Sequence, residues 1–236
     1  MLRWLCGRLT SKPVGQLAEE LGLRKLKRDK DRLVLRAAVL FGFYFRCRAS
    51  EYLCSGRPDY DKVARGLDMA LRWSQQRRER WPERLDVQFR KTKTDQLAFG
   101  CARTHYRVDG AGQAICVVRA MRELRRAFPE HFDGGGEAWR PVFRWAAAGL
   151  VRREEIQKIL EAAAEAVGLP RSRFRSHSLR IGGASAMLHG TRQFDLVKRF
   201  GRWSSDAVHV YPHDNAEQTR GLAAPVARDK SAVHYP

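Results

Sequence analysis

Hydrophobic positions along this chain fall into runs of two different periods. Residues 33–53 read LVLRAAVLFGFYFRCRASEYL, an apolar stretch interrupted only by arginines, and predict a buried helix that ends in the polar CRASE. CSGRPDYDK follows as a loop by its Gly, Pro and Asp content. Residues 67–73 (LDMALRW) predict a short strand. Residues 84–108 predict two strands around the polar tip KTKTD, with Leu85, Val87 and Phe89 alternating on the first arm.

The period then becomes helical. Residues 114–128 form an amphipathic pattern with a basic face, and DGGGEAW is a glycine-rich loop. Residues 153–170 place Ile156, Ile159, Leu160, Ala163 and Val167 on one side of a helix, which Gly168 and Pro170 stop. FRSHSLRIGGASAMLHG (174–190) and TRQFDLVKRF (191–200) predict two more helices, and SSDAVHVYP a short one that Pro212 ends. No internal repeat is present. The expectation is a mainly α (α+β) fold with one small antiparallel sheet. Residues 1–30 are read as a basic linker or remnant, 31–214 as the main domain, and 215–236 as a polar tail.

Charge narrows the partner. Against 26 Asp+Glu stand 45 Lys+Arg, a formal charge of +19, which favours a polyanion such as nucleic acid. The five cysteines are scattered with no C-x-x-C pair, so neither a zinc ribbon nor a disulfide framework is indicated. A reduced, intracellular setting is expected, nuclear in a eukaryotic host and otherwise cytoplasmic or nucleoid. No apolar run approaches the ~20 residues that span a bilayer, so no membrane partner is expected.

Four groups carry chemistry: Arg48 in CRASE, Lys93 in the hairpin tip, His177 and Arg180 opening a glycine-bearing helix, and Tyr211 after GRWSSD. Singly each has an ordinary explanation, such as an Arg48–Glu51 pair one turn apart or a solvated lysine turn. In order they resemble the catalytic domain of the tyrosine recombinases, the phage-integrase-like enzymes. That family uses an arginine in an R-x-S-E context, a hairpin lysine, H-x-x-R, a later His or Trp, and a nucleophilic tyrosine. KTKTDQ, HSLRIGGASAM and GRWSSDA look most like the recombinases of eukaryotic mobile elements.

The resemblance implies cleavage and rejoining of DNA through a covalent 3′-phosphotyrosyl link, with no cofactor and no metal. Arg48 and Arg180 would offer planar forks to phosphate oxygens. Tyr211 would be the nucleophile, His177 its proton acceptor, Lys93 the proton donor to the leaving 5′ oxygen, and Glu51 an orienting group for Arg48 or His177. Two glycines, Gly182 and Gly183, are expected where a neighbouring element or the DNA approaches the helix.

Two features depart from the family pattern. The residue after Gly201 is Arg202, with Trp203 one later: spacing favours Arg202 at the site, whereas residue type favours Trp203, which is taken as the site residue with Arg202 behind it. Arg48 also lies too near the start for a complete N-terminal clamping domain to precede it. Grip on DNA should therefore rest on phosphate contacts, with Lys91, Arg24, Lys25, Lys27, Arg28, Arg77, Arg78, Arg119 and Arg122 as candidates. The partners expected are double-stranded DNA and further copies of the chain, as a dimer or tetramer on DNA. The alternatives are a type IB topoisomerase-like enzyme and a non-cleaving DNA-binding protein of the same fold.

Overall fold

A computed structural model describes residues 1–74, 80–92, 95, 97–133, 135–147 and 149–203. Its centre is helix α3 (Asp29–Tyr44), in which Val34, Leu35 and residues 37–41 are fully enclosed. Asp31 starts this helix. Its buried carboxylate accepts from the backbone N–H of Arg28 at 2.9 Å and of Ala146 at 2.7 Å, which offsets the cost of hiding the charge. Helices α1 (Leu2–Ser11), α4 (Val117–Ala127) and α7 (Ser178–Thr191) pack around α3. The sheet is antiparallel in the order β1 (Met69–Arg72), β2 (Arg84–Phe89), β3 (Cys101–Tyr106), with Leu85, Val87 and Phe89 of β2 in the core. The remaining helices are α2 (Val14–Glu20), the single turn α5 (Gly135–Ala138), α6 (Arg153–Ala166) and α8 (Phe194–Phe200).

The mainly α fold with its small sheet matches the sequence reading, and two details differ. Residues 1–30 carry helices of their own: Leu5, Cys6, Leu9, Leu17, Leu21, Leu23 and Leu26 are buried in the same core as α3. Basic residues lie between those apolar positions, which hid their helical spacing. The helix expected over 33–53 stops at Tyr44. Arg46 takes a left-handed φ of 49°, and the Cys47 N–H closes back onto the Gly42 carbonyl at 3.1 Å. This is a helix ending that normally announces itself with glycine. An arginine holds the position here, and the apolar run continues through the break, so the pattern gave no stop signal. Beyond the break the expected helix continues only as the single turn Ala49–Glu51, and the single turn α5 forms within the glycine-rich segment expected as a loop.

Candidate active site

Because α3 ends early, Arg48 sits beyond it, at the head of the 3₁₀ turn Ala49–Glu51. The Arg48 backbone N–H donates to Glu51 Oε2 at 2.8 Å and its Nη1 to Oε1 at 3.4 Å. Glu51 is 1% exposed, and the same Oε2 accepts from Arg202 Nη2 at 2.6 Å. Arg202 ends α8 as Arg46 ends α3: its φ is 60°, and the Trp203 N–H reaches back to the Lys198 carbonyl at 3.1 Å. Its Nη1 also donates to the Phe45 carbonyl at 3.0 Å. Burial works against the Arg202 charge, but Glu51 and the Cys47 thiol outweigh it and hold its pKa above the ordinary value. Arg202 thus braces Glu51, and Glu51 orients Arg48.

Helix α7 brings the second arginine. His177 caps it, and its carbonyl accepts from the Arg180 N–H at 3.0 Å, so the two side chains share a face. Arg180 is 1% exposed. It donates through Nη1 to the Arg46 carbonyl and through Nη2 to the Gly201 carbonyl at 2.9 Å, while the Trp203 ring covers its guanidinium at 4.1 Å. Burial lowers the Arg180 pKa to about 10, opposed by Glu51 and assisted by Arg48 and Arg202. It remains a cation at neutral pH. His177 is half-buried. Desolvation first, then the charges of Arg180, Arg48 and Arg153, push its pKa below the usual value, so the imidazole is neutral and able to accept a proton.

Two glycines make this arrangement possible. A Cβ on Gly183 would lie 2.0 Å from the Phe43 carbonyl oxygen, so α7 touches the backbone of α3 there. At Gly182 the nearest atom would be 3.5 Å away, an ordinary contact. The close approach is therefore to a neighbouring element, at Gly183. A Cβ on Gly201 would collide with the Trp203 ring, which folds back over it onto Arg180.

Four guanidiniums, Arg46, Arg48, Arg180 and Arg202, converge here, and Glu51 is the one carboxylate bonded to any of them among the described residues. Among the described residues these guanidiniums thus share a single carboxylate, a balance of charge that suits an anion. Arg46 had no signal in spacing. It is buried over the Phe200 ring at 4.5 Å. Arg103 of β3 was missed for the same reason; it holds the Arg199 and Phe200 carbonyls at the end of α8.

Lys93, Tyr211, Arg77, Arg78 and residues 204–236 lie outside the described residues. Thr92 and Asp95, which flank Lys93, line a cleft of about 280 Å³ with Arg202 and Trp203. Among other tyrosines, Tyr52 is enclosed and burial raises its hydroxyl pKa, which unsuits it to attack. Lys91 is half-buried, whereas Arg24, Lys27 and Arg28 are exposed. Lys25 stands 3.7 Å from Glu155. Arg119, a candidate phosphate contact, is paired with Asp109 and stacked on Trp81. Arg122 shares that ring at 4.3 Å.

No family model and no curated protein matches this sequence. Among solved structures, the fold is that of site-specific recombinases. The XerH recombinase bound to palindromic difH substrate in a post-cleavage complex is similar at a TM-score of 0.57 and 13% identity, over 91% of this chain and 51% of that one. The XerH–difH pre-cleavage complex follows at 0.53 and 14%, over 89% of this chain and 52% of that one. The chain thus spans about half the length of these structures.

Proposed function

We propose that this protein cleaves and rejoins DNA as a site-specific tyrosine recombinase, acting on the ends of a mobile element as an assembly of copies on DNA inside the cell. The observation that carries this reading is the convergence of Arg48, His177, Arg180 and Trp203, drawn from positions 48 to 203, into one cationic cluster. A phosphodiester under attack gains negative charge on its non-bridging oxygens, and fixed guanidiniums are suited to stabilise it. In the proposed step the Tyr211 hydroxyl oxygen bonds to phosphorus and its proton passes to His177. The bond to the 5′ oxygen breaks, and that oxygen takes a proton from Lys93. The phosphate ester is conserved as a 3′-phosphotyrosine, so the reverse step can seal a new strand without ATP.

A nicked duplex that loses its 5′ fragment should trap a denaturation-resistant protein–DNA adduct, and Tyr211→Phe should abolish it while DNA binding stays near normal. An adduct formed by the Phe variant would overturn the assignment of the nucleophile. Joined products from two separate duplexes would distinguish recombination from relaxation of one supercoiled duplex.

A further inference from the structure

Beside His177 lies a cation that no motif announced. Arg153 opens α6, and this helix start is stitched to the Arg48 segment. The Cys54 N–H donates to the Val151 carbonyl at 3.1 Å, and the Arg153 N–H to the Cys54 carbonyl at 3.0 Å. The Arg153 Nε–H donates to Ser176 Oγ at 2.9 Å. Ser176 is 1% exposed and immediately precedes His177. One edge of the guanidinium is therefore fixed by a buried hydroxyl, while its two Nη groups have no partner among the described residues and the residue as a whole is exposed. With Arg180 and Arg48, Arg153 is one of three cations whose charge acts on the His177 ring. Its neighbours Glu154 and Glu155 do not neutralise it: no ion pair joins Arg153 to a carboxylate among the described residues, and Glu155 accepts from the Arg152 N–H and from Trp145.

We infer that Arg153 is a further phosphate-binding residue: Ser176 presents its open Nη edge beside His177 to a backbone phosphate next to the one held by Arg48 and Arg180. A planar fork fixed at one nitrogen loses little rotamer freedom on binding, which suits it to a repeated backbone group rather than a base edge. This rests on the strand-cleavage reading for its setting but is tested by binding.

The experiment titrates a labelled random-sequence duplex with the full chain across a series of salt concentrations, for wild type, Arg153→Ala, Arg153→Lys and Ser176→Ala. Arg153→Ala should make the slope of log affinity against log salt shallower by about 0.9, the loss of one phosphate contact. Arg153→Lys should restore the slope because the charge remains. Ser176→Ala should keep the slope and weaken binding uniformly. On the nicked substrate, Arg153→Ala should raise the DNA concentration giving half-maximal adduct. An unchanged slope in Arg153→Ala, or a lysine variant as defective as alanine, overturns the inference while leaving adduct formation by wild type untouched. A shallower slope in a protein that forms no adduct would keep Arg153 and overturn the cleavage reading instead.

Discussion

Glu51 carries two arginines on one buried carboxylate, and its removal would take that anion from both. Deleting one partner of such a pair typically costs about 3–5 kcal/mol. Glu51→Ala should therefore lower unfolding free energy in urea by roughly that amount, and Glu51→Gln by less because the amide oxygen can still accept. An effect under about 1 kcal/mol would mean that the Arg202–Glu51 bond does not bear on stability. His177 gives a pH prediction. Its pKa is depressed in the folded protein, so it stays neutral below the ordinary ~6.5. Its ring resonances should titrate with a midpoint below that of a free imidazole, and adduct formation should hold its rate until the pH passes through this lower midpoint. At this scale the sequence was informative where spacing is short. Arg48 with Glu51, and His177 with Arg180, are neighbours on one turn and were readable as pairs. The Arg202–Glu51 bond joins residues 151 positions apart, and no local pattern could announce it.

Helix ends, more than helix faces, shape the pocket. Both α3 and α8 close with a left-handed arginine where glycine is usual, a conformation that costs a non-glycine residue roughly 1–2 kcal/mol. Each is held there by burial of its side chain, Arg46 over Phe200 and Arg202 against Glu51. Arg202→Gly would relieve the backbone yet lose the larger ion-pair contribution, and net destabilisation is expected in thermal melts. The α3–α7 contact supplies a paired test. Gly183→Ala forces a methyl against the Phe43 carbonyl and should destabilise by about 1–3 kcal/mol or more, whereas Gly182→Ala should be near neutral. Melting temperatures separate the two, at roughly 2–4 °C per kcal/mol for a chain of this size. Equal effects would mean that the helices do not meet at Gly183. The sheet and helices α4 and α6 were legible because their periods are clean. The stop at Tyr44 and the packed helices before α3 were not, since one lacks its glycine, α1 interleaves its leucines with arginines, and α2 is only seven residues long.

Across the whole molecule, electrostatics bears on stability and on the proposed partner. His105 and His131 are held neutral by burial, each with a pKa lowered to about 4. In the unfolded chain they return to ~6.5. Their contribution is complete above that value and is lost as pH falls toward 4, so the melting temperature should decline over this interval. A flat profile there would argue against buried neutral rings. The charge of +19 predicts DNA affinity that drops steeply as salt is raised, by about 0.9 log units per log unit of salt for each phosphate engaged. The indole stacked on Arg180 has a separate consequence for life among small anions. Cellular inorganic phosphate and sulfate bring too few contacts to lift Trp203 away, whereas a duplex can offset that displacement along its length. The resting protein should therefore show little change in tryptophan fluorescence or melting temperature with either ion, and a clear change with DNA.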